Sequence, residues 1–170
     1  MRDYLVVDGY NIIYAWPEFK KMKDFTLEHA RARLVEVMVN YAAVAGLKVT
    51  VVFDAHLVKG SVERVDQVNG VEIIYTRDGE TADSVIERLV GSLKDQGAVF
   101  VATSDSAEQS IVFGRGAFRL TPAELRDQVN HARKAAEELF AQSTPAEAYL
   151  ENRLLEKVRE ELEKWRREKG

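Results

Sequence analysis

The sequence contains no cysteine and no long apolar run, and each absence removes a class of function. Without cysteine the chain has no disulfide, no thiolate nucleophile and no cysteine-ligated zinc, so any metal must be held by oxygen or histidine ligands. No stretch approaches the roughly 20 unbroken apolar residues of a membrane-spanning helix, and the N-terminus lacks the features of a signal peptide. We therefore expect a cytoplasmic protein with no membrane partner.

Positive charges are fewer than negative ones. The chain has 24 basic and 28 acidic residues, a net charge of −4 and an isoelectric point near 5.5. This balance argues against a general electrostatic affinity for nucleic acid. If the protein binds RNA, it needs a local basic patch or a partner that supplies the positive charge.

Aspartates stand at or just beyond the ends of three apolar, β-branched runs. The runs are YLVVD with Asp8, KVTVVFD with Asp54 and AVFVATSD with Asp105, and such runs are typical of buried parallel strands. A fourth aspartate, Asp83, stands at the start of a predicted helix. The carboxyl ends of parallel strands form a ligand crevice, and clustered carboxylates repel one another unless a cation binds them. Hard oxygen ligands suit Mg²⁺ or Mn²⁺, so the pattern predicts metal-assisted phosphate chemistry.

The predicted elements alternate as β-α-β-β-α-β-α, which indicates an α/β fold with a mainly parallel sheet in three layers. An aromatic turn is expected near residues 14–17, a polar loop over 59–70 and a short helix over 106–114. Thr26 and Thr81 are the expected caps of two longer helices, and Gly46 is expected to end the first.

At Thr121-Pro122 the sequence pattern changes from alternating strands and helices to helices alone. Two long helices are predicted from there on, one to about residue 140 and one from about 145 to 169. We therefore divide the chain into an α/β domain, residues 1–120, and a C-terminal helical extension, residues 121–170. The last helix carries an apolar stripe that must pack on the domain, on a second copy or on a partner. Its members are Leu155, Val158, Leu162 and Trp165.

Each candidate residue also has an ordinary structural explanation. Asp8-Gly9 and Asp54 suit strand-ending turns, Asp105 suits an Asx turn, and Asp83 suits the positive end of a helix dipole. Their convergence at one edge of the sheet favours a functional site. A second set of polar residues is expected to orient the ligands, and His56 is a weaker catalytic candidate. The second set comprises Asn11, Thr103, Ser104, Glu80 and Glu87.

Five motifs resemble the YacP-like branch of the NYN nucleases, which are relatives of the PIN-domain ribonucleases. In chain order they are VVDGYNII, VVFDAHLVKG, YTRDGETADSVIER, VATSD followed by EQ, and FGRGAFRL. The resemblance runs from residue 4 to about residue 120.

The resemblance implies a PIN-like fold and a Mg²⁺- or Mn²⁺-dependent endoribonuclease. It places the metal ligands at Asp8, Asp83 and Asp105, with Asp54 and Asn11 beside them in the catalytic site. It further implies that the substrate is messenger RNA, not DNA, and that cleavage occurs in association with the translating ribosome.

Because the global charge has the wrong sign, we expect RNA to be steered by local cations, namely Lys59, Arg64, Arg77 and Arg115. Two other functions remain open. One is a phosphoacceptor signalling domain in which Asp54 is phosphorylated, although the paired acidic residues and the lysine that such domains need are missing. The other is a non-catalytic RNA or ribosome adaptor in which the acidic cluster holds a structural cation.

Overall fold

The computed structural model describes residues 2–22, 26–55, 62–104, 116–142 and 151–169. Its centre is a six-stranded sheet in the order β3-β4-β2-β1-β5-β6. All neighbouring strands are parallel except β3 and β4, which are antiparallel. The predicted α/β class with a mainly parallel sheet is confirmed. The strands are β1 (Tyr4–Asp8), β2 (Lys48–Phe53), β3 (Arg64–Val68), β4 (Val71–Tyr75), β5 (Val99–Ala102) and β6 (Phe118–Leu120).

Helices cover both faces of this sheet. They are α1 (Gly9–Ala15), α2 (Pro17–Lys20), α3 (Leu27–Ala45), α4 (Ala82–Leu93), α5 (Pro122–Gln142) and α6 (Glu151–Lys169). The predicted caps are confirmed, because the Thr26 and Thr81 hydroxyls accept hydrogen bonds from backbone N–H groups in the first turns of α3 and α4, at 3.1 and 3.2 Å. Gly46 ends α3 with a φ of 67°, a left-handed conformation that favours glycine.

Side chains alternate between the two faces along each strand. In β1, Leu5 and Val7 belong to a core formed with α1, α3, α5 and α6, whereas Val6 belongs to a second core formed with α4. In β2, Val51 faces the first core and Val52 the second. The sheet is therefore the middle of three layers, and α4 covers the face opposite to α3.

The C-terminal helices contribute to the larger core. Leu125 of α5 and Val158 and Leu162 of α6 are buried there, and the Trp165 ring stacks on His131 with centroids 5.5 Å apart. The side chain of Leu155 lies outside the described residues. The boundary at residue 120 stays a prediction.

A buried polar network joins α3, α5 and α6. The Tyr41 hydroxyl donates to Gln128 Oε1 at 2.9 Å and accepts from Arg166 at 3.4 Å. Gln128 and Arg166 are 1% and 3% exposed. Burial raises the pKa of the Tyr41 hydroxyl, and the nearby Arg166 offsets part of that rise.

The structure differs from the sequence prediction in three places. Residues 64–68, predicted as part of a polar loop, form the edge strand β3, which is exposed on both faces and therefore lacks a hydrophobic alternation. The expected aromatic turn is occupied by α1 and α2, and β6 was not predicted. The predicted short helix at 106–114 lies outside the described residues. Among the helices of the described segments, none has the length and apolar character needed to cross a membrane.

Candidate active site

The register of the sheet places Asp8 and Asp54 on the same side. Asp8 ends β1 opposite Val52 of β2, and Asp54 follows the last residue of β2. By alternation, Asp8 shares the face of Val6, and Asp54 shares the face of Val52. Both aspartates therefore lie toward α4, whose first turn carries Asp83.

Hydrogen bonds fix the orientation of the Asp8 carboxylate. Asp8 is 5% exposed, and its Oδ2 accepts from the Asn11 side-chain amide at 2.5 Å and from the Thr103 hydroxyl at 3.4 Å. Asn11 lies in α1 three residues after Asp8, and its Oδ1 accepts from the Ser104 hydroxyl. The ends of β1 and β5 and the first turn of α1 thus form one polar chain around a buried carboxylate.

Asp54 contacts the first residue of α4. Its Oδ2 accepts a hydrogen bond from the Ala82 backbone N–H at 3.3 Å, one of the N–H groups that a helix leaves without an internal partner. A carboxylate is also stabilised by the positive end of the helix dipole. The adjoining turn is held by the Ala55 N–H, which donates to the Thr76 hydroxyl at 2.8 Å. Asp54 therefore connects the end of β2 to the helix that carries Asp83.

These residues line one cleft at the carboxyl edge of the sheet, with a volume of about 460 Å³. One wall is α1, the other is the start of α4, and the ends of β1, β2 and β5 lie between them. Such an edge is where open α/β sheets bind ligands. The lining residues are Asp8, Tyr10, Asn11, Tyr14, Ala15, Asp54, Thr81, Ala82, Asp83 and Ser104.

A larger groove of about 620 Å³ lies between α3 and α5, away from the aspartates. It is lined mainly by apolar side chains, among them Trp16, Phe19 and Phe140. Size alone would point to this groove, but it lacks the converging carboxylates. We therefore place the candidate chemistry in the smaller acidic cleft.

The remaining predicted site residues have different surroundings. Thr103 and Ser104 contact Asp8 and Asn11, as described above. Glu80 turns toward two arginines, with Oε2 at 3.7 Å from Arg77 and 3.4 Å from Arg88. Glu87 is half-buried one turn after Asp83 in α4.

Of the four predicted RNA-binding cations, two are described. The Arg64 guanidinium lies 4.3 Å from the centroid of the Tyr75 ring, and Arg77 is exposed beside Glu80. The other predicted residues lie outside the described residues; they are Lys59, Arg115, Asp105 and His56.

The donor set of the cleft suits a hard divalent cation, because it offers carboxylate, amide and hydroxyl oxygens and no sulfur. Asp8, Asp54 and Asp83 line the cleft together. Within the described segments, however, no three acidic or histidine side chains are close enough to hold an ion as a group. Asp105 follows Ser104 directly and is the remaining predicted ligand, but it is not described.

Sequence reasoning missed two tyrosines of the cleft wall. Tyr10 and Tyr14 share a face of α1, four residues apart, and both line the cleft. The spacing of Tyr10, Asn11 and Tyr14 places them on one face only if residues 9–15 are helical. Because a turn was expected there, that signal was not used.

The sequence was compared with known protein families and with known proteins. The family model of the YacP-like NYN domain matches residues 5–167. The chain belongs to the YacP-like NYN domain family. A curated relative, the uncharacterized protein YacP of Bacillus subtilis (strain 168), is 42% identical over 166 residues, which cover 97% of each chain.

Solved structures agree with this assignment. The crystal structure of Rae1 (YacP) from Bacillus subtilis has a TM-score of 0.72 and 41% identity, covering 97% of this chain and 95% of that one. A tryptophan-to-leucine variant of Rae1 has a TM-score of 0.71 and 36% identity, covering 95% and 98% of the two chains. The resemblance to the YacP-like NYN branch and its PIN-like fold are thus confirmed.

Membership in the YacP-like NYN family supports a nuclease-type, RNA-related function, since NYN domains are generally nucleases. The family match also extends past residue 120, through α5 and into α6 as far as residue 167. The residues matched by the family model therefore include α5 and most of α6.

Proposed function

We propose that the protein is a Mg²⁺- or Mn²⁺-dependent endoribonuclease that cleaves messenger RNA in association with the translating ribosome. The observation that carries this proposal is the meeting of Asp8, Asp54 and Asp83 in one cleft of a NYN-family protein. A buried carboxylate whose orientation is fixed by side-chain donors is suited to bind a cation.

Asp8, Asp83 and Asp105 are the residues that would hold the metal. When bound, a divalent ion supplies an activated water and stabilises the leaving oxygen of a phosphodiester. Asn11 and Thr103 hold the Asp8 carboxylate in one orientation, and Ser104 in turn holds Asn11.

Asp54 is a positioning residue in this proposal. By accepting from the Ala82 N–H it fixes the start of α4 relative to β2. Asp83 is the next residue of that first turn, so its carboxylate is placed by the same contact. The loss of Asp54 is therefore expected to reduce activity less than the loss of Asp83.

Arg64 supports an RNA path along the carboxyl edge. It pairs in register with Tyr75, the last residue of β4, which places it at the same edge of the sheet as the cleft. Its guanidinium packs on the Tyr75 ring and also contacts Asp66 at 3.2 Å. An RNA phosphate that binds Arg64 would therefore compete with the Asp66 carboxylate. We propose that Lys59, Arg77 and Arg115 contribute to this path.

The acidic balance of the chain favours a partner that brings the RNA. A net charge of −4 opposes unaided association with a polyanion. The translating ribosome holds messenger RNA in place and would remove that barrier. Cleavage of a natural messenger should therefore be faster when the message is being translated.

The test is an RNA cleavage assay with purified protein, with Mn²⁺ or with chelator, on wild type and Asp83→Asn. Asp95→Asn is the matched control, because it makes the same charge change at an exposed position beyond the other end of α4. The proposal expects metal-dependent cleavage that is lost in Asp83→Asn and kept in Asp95→Asn. RNA or ribosome binding without cleavage in any variant would instead support the adaptor function.

A further inference from the structure

Tyr14 is an exposed aromatic side chain beside the acidic cleft. It is 54% exposed and lines the cleft together with Asp8 and Asn11. Other large apolar side chains are exposed in the described part of the chain, including Phe118 and Phe140, but these two do not line the cleft. Single exposed apolar residues are common, so its place in the cleft wall is what distinguishes Tyr14.

The ring of Tyr14 packs against the buried ring of Tyr10. Its centroid lies 6.4 Å from that of Tyr10, which is 8% exposed and packs on Phe53 with centroids 5.3 Å apart. The Tyr10 hydroxyl accepts a hydrogen bond from Arg31 of α3 at 2.9 Å. The support under Tyr14 is therefore fixed to β2 and α3, while more than half of Tyr14 remains open to solvent.

We propose that Tyr14 is a stacking platform for an unpaired base of the RNA whose phosphodiester enters the acidic cleft. This inference rests on the proposed nuclease function and adds the residue that receives an unpaired base of the substrate. An aromatic face binds a base only when that base is free of its own duplex stack. Stacking also supplies binding free energy that does not depend on positive charge, and the net charge of this chain is negative.

The geometry assigns Tyr14 a positioning role. Asn11, one turn earlier in α1, donates a hydrogen bond to Asp8. A base stacked on Tyr14 would therefore lie one helical turn from the residue that contacts the Asp8 carboxylate. Because every base has a π face, stacking of this kind tolerates any base. The hydroxyl of Tyr14 has no part in this role, so phenylalanine and tryptophan should replace tyrosine.

The first measurement is fluorescence anisotropy of a labelled oligoadenylate at low salt and in chelator, where metal-dependent cleavage is absent. Tyr14→Ala should weaken binding by about 5- to 150-fold, the range for one lost base–aromatic stack. Tyr14→Phe and Tyr14→Trp should bind like wild type. Phe140→Ala, which removes an exposed aromatic ring away from the cleft, should also bind like wild type.

An abasic oligoribonucleotide of the same length separates stacking from structural damage. It retains the phosphates but has no base, so Tyr14→Ala and wild type should bind it equally. Equal weakening toward the abasic and the normal strand would overturn the proposal, and so would failure of Tyr14→Phe to restore binding.

Cleavage in Mn²⁺ separates this inference from the proposed function. If wild type cuts RNA and Tyr14→Ala cuts it with unchanged kcat/KM and unchanged affinity, stacking on Tyr14 is wrong and the nuclease function stands. If wild type neither binds the oligonucleotide nor cuts a natural messenger during translation, both proposals fall together.

Discussion

Replacing Gly9 by alanine tests how the core positions the active site. Gly9 follows Asp8 directly, and a Cβ built on it would overlap the Phe53 ring, with Cδ1 at 2.5 Å. Phe53 is fully buried between β2 and the α1 and α3 helices, so its ring has little room to withdraw. The added methyl must therefore displace either this ring or the start of α1.

Overpacking of this kind typically costs about 1 to 3 kcal/mol. A glycine-to-alanine change also restricts the unfolded chain, which stabilises the fold by about 0.4 to 1 kcal/mol and offsets only part of that cost. We expect Gly9→Ala to lower the free energy of unfolding. At about 2 to 4 °C per kcal/mol for a chain of this size, Tm should fall by a few degrees. Cleavage should fall as well, because Asp8 and Asn11 flank the displaced residue.

Urea unfolding of a double-mutant cycle with Phe53→Leu measures the overlap itself. The smaller leucine leaves room for the methyl, so Gly9→Ala should cost at least about 0.5 kcal/mol less in the Phe53→Leu background. The reasoning is refuted if Gly9→Ala is as stable as wild type, or if its cost is the same in both backgrounds.

Four further predictions concern single groups. In chelator, Asp83→Asn should leave Tm unchanged or slightly raised, because it removes a repelling carboxylate, whereas a large fall in Tm would contradict the clustering. The double variant Lys59→Glu, Arg64→Glu should cut RNA more slowly, and each lost phosphate contact should reduce the salt slope of binding by about 0.7; cleavage at the wild-type rate would exclude this path. Arg166→Ala should lower the free energy of unfolding by about 2 to 5 kcal/mol, and Arg166→Met should lower it by less, because methionine keeps most of the buried volume. Equal losses for the two variants in urea titrations would show that packing of the Arg166 side chain is not the cause. Burial raises the pKa of Tyr41 above 10.0, so on raising the pH the Tyr41 hydroxyl loses its proton in the unfolded chain before it does so in the folded one. The free energy of unfolding should therefore fall as pH rises above about 10. Tyr41→Phe should flatten this decline in alkaline urea titrations.

The parallel core of the fold could be read from the sequence because its signals are local and strong. Runs such as KVTVVF are continuous and β-branched, as buried parallel strands require, and threonine caps mark the starts of α3 and α4. Strand β3 was missed because neither of its faces is buried. The remaining signal was Asn69-Gly70, both with positive φ, which is the two-residue turn of a tight hairpin.

The acidic cleft could be predicted only as a set of residues. Asp8, Asp54 and Asp83 converge because strands end at one edge, a rule of topology that the sequence order already implies. The contacts that define each role could not be predicted, since the hydrogen bond from Ala82 to Asp54 depends on the placement of α4 against β2. Tyr14 was overlooked for the same reason, because its cleft face appears only once α1 is known to be helical.

The central claim is that the cleft around Asp8 binds the divalent cation that cleavage requires. Anomalous diffraction from crystals soaked in Mn²⁺ would locate that cation directly. The account predicts a peak in the cleft within ligand distance of Asp8 and Asp83, which disappears in Asp83→Asn. A peak bound elsewhere, with none in the cleft at Mn²⁺ concentrations that support cleavage, would contradict it.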